Sequence, residues 1–196
     1  MGSQIDERGL RAIRGQLGHE PRGLLEIERR CRFGYPQVIK VYPLLKNGAG
    51  EPCPFPTLFW LTCPALVEQL SRLEEHGYIK ELEQALAGDE RLRREYQEDH
   101  RRYLAERWAA LSGEDKALVE ERGLTAALRG RGIGGLSDWD KVKCLHLHYA
   151  HHLARGSALG RWVESHLPLE ECPPERVRCA GFEGRSSRST APQTAF

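Results

Sequence analysis

Cysteine and histidine are the residue types in this sequence whose numbers point to chemistry. The chain has 196 residues, with six cysteines and eight histidines but a single methionine, Met1. Thiolates and neutral imidazoles are ligands of zinc and iron, and a thiolate is also a nucleophile. The positions of these side chains therefore decide which chemistry the chain can support.

One candidate site is a row of ligands near residue 150. The apolar spacing there predicts a helix over residues 138–155, with Ser137 as its N-cap. On this helix Cys144, His148 and His151 share the face opposite the core, at spacings of i, i+4 and i+7. Such a row can supply several metal ligands, or it can be the ordinary polar face of an amphipathic helix.

The other face of the same helix is expected to pack into the core. It consists of apolar and aromatic residues, namely Trp139, Val142, Leu145, Tyr149 and Leu153. His146 falls beside this face. We therefore expect His146 to be a histidine at the edge of the core with a hydrogen-bond partner.

A second candidate site lies at one edge of the predicted sheet. Cys31 follows the first predicted strand and Cys63 follows the third, so both lie at the same edge of an up-down-up sheet. Their separation is about 5 Å if the two strands are neighbours and about twice that if the second strand lies between them. Cys172, in the sequence Glu-Cys-Pro-Pro, can return to this edge. Cys53 and Cys179 carry no spacing information.

The leading interpretation is a metal site at this sheet edge that holds zinc or an iron–sulfur cluster. Its predicted ligands are Cys31, Cys63, Cys144 and Cys172, with His148 and His151 as substitute ligands. No pair of cysteines has the short spacing of a zinc ribbon, so the site must be assembled from distant segments.

Cys63 also supports an alternative interpretation as a catalytic thiol. Pro64 suits the first position of a helix, which makes Cys63 the N-cap. The helix dipole is expected to lower the pKa of this thiol, and a nearby histidine would then act as the base of a thiol-dependent enzyme. A small residue that caps a helix under a packed sheet explains the same position without catalysis.

Two arginines flank the predicted sheet. Arg22 and Arg32 could bind an anionic ligand, and an ordinary surface role explains them equally well. The formal net charge of +1 argues against general nucleic-acid binding, which requires a concentrated positive field. No apolar run approaches the roughly 20 residues that span a bilayer, and the N-terminus lacks a secretory signal. We therefore expect a cytoplasmic protein without a membrane partner.

The predicted fold is α+β, with a small three-stranded antiparallel sheet covered by about five helices. The predicted strands are 24–30, 37–42 and 57–62, and helices are predicted within 5–17, 64–77, 79–86, 90–111, 112–123 and 138–155. The long helix at 90–111 could present a surface to a protein partner, which is the third interpretation, a non-catalytic interaction module.

The chain divides into three predicted regions. Residues 1–20 form an N-terminal helical segment, residues 21–175 form a single α+β domain, and residues 180–196 form a disordered tail. The tail is predicted from its Gly, Ser and Arg content.

Three segments resemble a known family. They are Pro21-Arg22-Gly23 with Arg30-Cys31-Arg32-Phe33-Gly34-Tyr35-Pro36, then Pro54-Phe55-Pro56-Thr57-Leu58-Phe59-Trp60-Leu61-Thr62-Cys63-Pro64, and finally Val142-Lys143-Cys144-Leu145-His146 with His151-His152-Leu153-Ala154. Together they resemble the bacterial domain-of-unknown-function family numbered 501, from about residue 16 to residue 172. The resemblance marks Arg22, Cys31, Cys63, Cys144 and His146 as motif positions, together with a cysteine near 172. It implies no activity, substrate or cofactor.

Overall fold

The fold is built on a three-stranded antiparallel sheet. A computed structural model of the chain describes residues 5–182. The strands are β1 (Leu24–Arg30), β2 (Pro36–Val41), β3 (Leu44–Lys46), β4 (Pro52–Pro54) and β5 (Phe59–Leu61). The main sheet has the order β1-β2-β5, and β3 and β4 pair as a separate hairpin. The predicted α+β class and three-stranded sheet are confirmed.

Helices cover both faces of this sheet. They are α1 (Glu7–Leu17), α2 (Pro64–Glu75), α3 (Tyr78–Gly88), α4 (Glu90–Ala109), α5 (Gly113–Glu121), α6 (Thr125–Arg129), α7 (Leu145–Arg155) and α8 (Ala158–His166). Short 3-10 turns lie at Ile133–Gly135, Pro174–Arg176 and Arg178–Phe182. No described helix is long and apolar enough to cross a membrane. Most of the predicted tail lies outside the described residues.

Strand β2 is the centre of the sheet and is buried along its length. Its side chains alternate between two clusters because successive residues of a strand face opposite sides. Val38 packs with Phe59 in a cluster on the α4 and α7 side, whereas Ile39 and Val41 pack in another cluster with Ile13 of α1. The sheet is therefore enclosed between α1 on one face and α4 with α7 on the other.

Helix α7 begins later than predicted, at Leu145 instead of residue 138. The preceding segment is held by contacts to α3 and α4 that the local sequence does not reveal. Arg93 pairs with Asp140, the Tyr96 hydroxyl donates to the Lys141 carbonyl, and the Val142 N–H donates to Glu83. The Lys141 carbonyl and the Val142 N–H are thus bonded to other helices, whereas a helix that began at residue 138 would need both for its own hydrogen bonds.

Helix α4 packs one face into the core and exposes the other. The buried face comprises Tyr96, Asp99, His100, Tyr103, Leu104 and Arg107. The exposed face is charged and carries pairs such as Arg91 with Glu95. Leu25, in β1, is the large hydrophobic residue that the described surface exposes. That this helix presents a surface to a protein partner stays a prediction.

Arg107 is fully buried and binds four backbone carbonyl groups. Its guanidinium donates to the carbonyls of Pro56, Leu128, Arg131 and Gly132. We expect Arg107→Lys to lower the free energy of unfolding by about 3 kcal/mol. The ammonium group of lysine cannot donate to all four carbonyls, so buried acceptors are left unpaired. Urea denaturation measures this change.

The matched control for that measurement is Arg101→Lys on the exposed side of the same helix. Arg101 pairs with Glu98 in solvent, so its replacement should change stability by no more than about 0.5 kcal/mol. Equal effects of the two substitutions would contradict a structural role for the buried guanidinium.

Candidate metal-binding sites

The predicted row of ligands on one helix is not present. Cys144 precedes α7 as its N-cap, with extended backbone angles of φ −163° and ψ 155°. His148 and His151 are only 3% and 2% exposed, so the expectation that they form a polar surface face is wrong. Among the described residues, no group of three potential ligand atoms within 4.8 Å of one another combines Cys144 with His148 or His151.

His148 and His151 belong to an aromatic core that also contains His100 of α4. His100 stacks on Trp139, His148 packs edge-on against Tyr96, and His151 packs against Tyr103. The His148 Nε2 atom lies 3.3 Å from the Tyr96 hydroxyl. These contacts place both predicted substitute ligands in the protein interior, packed against α4.

Burial keeps these rings neutral. Loss of hydration lowers the pKa of His100 to about 4 and that of His151 to about 3, and it lowers the pKa of His148 in the same direction. His100 Nδ1 accepts the Ile133 N–H at 2.9 Å. The buried His100 Nε2 and His151 Nδ1 atoms have no hydrogen-bond partner among residues 5–182. The three histidines thus act as packing residues whose protonation opposes folding.

These pKa values predict a loss of stability in acid. The unfolded chain takes up a proton at His151 near pH 6.5, whereas the folded chain does so only near pH 3. The stability that the folded state gains from the neutral His151 ring is complete above pH 6.5 and is lost as the pH falls towards 3. We expect His151→Phe to reduce the stability lost between pH 7 and pH 5 by about 2 kcal/mol.

Denaturant titrations at the two pH values measure this difference. Phenylalanine retains the aromatic contacts with Phe59 and Tyr103, and His19→Gln is the control for removing a histidine at the surface. Equal losses of stability between pH 7 and pH 5 in His151→Phe and the wild type would contradict a buried neutral ring.

The cysteines at the sheet edge meet around the first residues of β2. Because β2 lies between β1 and β5, Cys31 and Cys63 flank Pro36 from opposite sides. The Cys31 N–H donates to the Tyr35 carbonyl at 2.8 Å, and the Thr62 N–H donates to the Gln37 carbonyl at 2.9 Å. The predicted meeting of these two strand ends occurs, at about two strand spacings.

The C-terminal segment brings two more cysteines to the same place. Arg32 donates to the carbonyl of Cys172, and Gln37 donates to Glu171 at 2.8 Å. The segment from Glu171 is thereby fixed beside the turn that joins β1 to β2. Cys172 lies at the predicted edge.

Cys179, which the sequence did not single out, completes the group. The Gln16 amide donates to both the Pro36 carbonyl, at 2.7 Å, and the Cys179 sulfur, at 3.3 Å. Arg178 donates to the Pro64 carbonyl at 3.3 Å. Cys179 therefore takes the position at the sheet edge that the sequence assigned to Cys144. We call Cys31, Cys63, Cys172 and Cys179 the thiol cluster.

Members of the thiol cluster are close enough to influence each other's ionisation. Burial, together with smaller effects of charge on Cys63, Cys31 and Cys172, raises the pKa of Cys179 to about 11, although the hydrogen bond from Gln16 lowers it. Burial also raises the pKa of Cys63, and charges on Cys172 and Cys31 add to the effect. A bound cation would stabilise the thiolates against both the loss of hydration and their mutual repulsion.

The expected activation of Cys63 is wrong. The N–H groups of Ala65 and Leu66 lower its pKa as predicted for a helix N-terminus, but burial has the larger effect and raises it. Cys63 is only 6% exposed. Both properties are opposite to those of a reactive thiolate, which is exposed and has a lowered pKa.

Arg22 and Arg32 are not brought together. Arg22 precedes β1 and donates to the Lys46 carbonyl at 2.8 Å, whereas Arg32 follows β1 and pairs with Glu171. A strand of seven residues separates them by about 20 Å. They cannot contact one small anion.

Cys144 lies in a separate group with Glu74 and His146. One ligand atom from each lies within 4.8 Å of the other two, and this is the closest such group found among the described residues. His146 is half-buried and contacts Glu74 at 3.0 Å through Nδ1. The prediction that His146 is a partnered histidine at the core edge is confirmed.

Comparison with known proteins places the chain in a family. The family described as "Protein of unknown function (DUF501)" matches residues 27–165. The chain belongs to this family. No curated protein and no solved structure matches it. In this DUF501 member, Cys31 and Cys63 lie inside the matched region, and Cys172 and Cys179 lie beyond it.

Sequence reasoning missed Cys179 and Glu74. A signal for Cys179 existed, because it follows Cys172 by seven residues in the same segment. No comparable signal marked Glu74, one of several acidic residues on an amphipathic helix. Its contact with His146 depends on how α2 packs against α7.

Proposed function

We propose that this DUF501 member is a metal–thiolate protein. In this proposal the thiol cluster binds zinc or an iron–sulfur cluster at the sheet edge. The supporting observation is that four thiols from three distant segments gather around Pro36, held there by backbone and side-chain hydrogen bonds. Four thiolates match the ligand set of structural zinc and of iron–sulfur clusters.

The proposal requires the side chains to close around the ion. Among the described residues, no three thiols meet within 4.8 Å, whereas tetrahedral zinc holds its sulfur ligands about 3.8 Å apart. Metal ligation supplies free energy for such a closure, because ligand binding and folding are coupled.

The surroundings of the thiol cluster favour a structural or electron-carrying role. Cys63 and Cys179 are 6% and 4% exposed. With four thiols as ligands no position remains for water, which distinguishes such a site from a catalytic zinc. A bound ion would tie the C-terminal segment to β1 and β5. Arg32 and Arg178 also lie beside the thiol cluster, where each is paired with a carboxylate, Glu171 and Glu68 respectively.

Metal analysis of protein purified without oxygen tests the proposal. We expect about one zinc ion, or iron with sulfide, per chain at the thiol cluster. Cys31→Ser and Cys179→Ser should each lower the metal content by this amount, because each removes one of the four ligands. Visible absorption distinguishes the two alternatives, since an iron–sulfur cluster absorbs there and zinc does not.

Cys53→Ser is the matched control. Cys53 is exposed on β4, away from the thiol cluster, and its loss should leave the metal content unchanged. Circular dichroism verifies that each variant is folded. A folded wild-type protein without zinc or iron at these thiols would overturn the proposal, and so would undiminished metal in Cys31→Ser and Cys179→Ser.

Metal removal should loosen the C-terminal segment before the rest of the domain. Two of the four ligands lie within residues 172–179, whose remaining anchors include bonds from Gln16 and Arg32. We expect chelation to increase amide hydrogen exchange over 171–182 at least tenfold, with little change in β2. Exchange that stays equal with and without chelator would argue against a metal at this position.

A further inference from the structure

A second group of potential ligands lies at the opposite end of α2. Cys63 precedes this helix, whereas Glu74 is its penultimate residue, so about 16 Å of helix separates them. The ligand atoms of Glu74, Cys144 and His146 all lie within 4.8 Å of one another. This group is therefore distinct from the thiol cluster.

Hydrogen bonds fix the orientation of the His146 ring. Its Nε2 atom lies 3.1 Å from the Val67 carbonyl and 3.2 Å from the Ser71 hydroxyl. A carbonyl can only accept, so Nε2 carries a proton and donates it. A metal-binding histidine commonly donates its second ring N–H to a carbonyl in this way.

The other ring nitrogen faces a carboxylate. Nδ1 lies 3.0 Å from Glu74 Oε1, which also accepts the Leu145 N–H at 2.5 Å. Two lone pairs at this distance repel each other, so a positive centre must lie between them. That centre is either a proton shared by the two groups or a metal ion.

The position of Cys144 favours the metal ion. An ion pair between His146 and Glu74 needs no third group, yet the Cys144 sulfur lies within 4.8 Å of both. Sulfur, imidazole nitrogen and carboxylate oxygen together suit zinc and similar transition metals, whereas magnesium and calcium prefer oxygen ligands alone. The chemistry of the group thus matches one class of cation.

We infer that Glu74, Cys144 and His146 bind a zinc-class divalent cation with one position open to solvent. The side chains of Glu74 and His146 are 23% and 25% exposed, so water can reach the group. Three protein ligands and an open fourth position are the arrangement of catalytic zinc sites, in which the metal binds water or a small Lewis base. The thiol cluster, with four thiols, offers no such position.

Zinc and cobalt titrations of the full chain test this inference. The wild type should bind one more equivalent of Zn²⁺ than Cys144→Ser, and bound Co²⁺ should give a thiolate-to-cobalt absorption band. Cys144→Ser and Glu74→Gln should each weaken binding at this group at least tenfold. Serine is a favourable N-cap, so Cys144→Ser should keep α7 folded.

Two controls separate this group from other ligands. Glu75→Gln changes the exposed neighbour of Glu74 and should leave binding unchanged, and Cys179→Ser should remove metal from the thiol cluster alone. Equal zinc stoichiometry and affinity in Cys144→Ser and the wild type would overturn the inference. Nitrogen-15 shifts that show both ring nitrogens of His146 protonated in the presence of zinc would overturn it as well.

Discussion

The backbone groups at the start of β2 are the constraint on which the sheet edge depends. Buried Pro36 and Gln37 have carbonyls that need donors, and the segments that meet there supply them. Gln16 and Thr62 donate to these carbonyls, and the Gln37 side chain reaches Glu171. Four distant parts of the chain thus meet because polar groups on a buried strand must be satisfied.

The local sequence pattern was sufficient to predict the sheet and to place Cys31 and Cys63 at the same edge of it. Strand ends follow from runs of β-branched and aromatic residues, and an antiparallel order places those ends together. The start of α7 could not be predicted in the same way, because Arg93 and Tyr96 hold the preceding residues from another helix. That difference of seven residues moved Cys144 from the proposed thiol site to a separate group.

The burial of the histidines was the property that the sequence pattern predicted least accurately. Helical spacing assigned His148 and His151 to the face opposite the core, but their rings pack as aromatics beside Tyr96 and Tyr103. A neutral imidazole is tolerated in a core at a cost in acid stability. Deciding between the two roles required knowledge of the partners on α4, which sequence spacing does not contain.

The contacts of the C-terminal segment show that the folded domain extends beyond the region of sequence similarity. The family match covers residues 27–165, yet Glu171 and Cys172, beyond its end, are bonded to Gln37 and Arg32 inside it. Cys179 is bonded to Gln16, which precedes the matched region. A fragment cut at the family boundaries would keep two thiols of the cluster and expose the backbone they share. In this chain, a domain boundary drawn by similarity alone divides a set of side chains that the fold holds together.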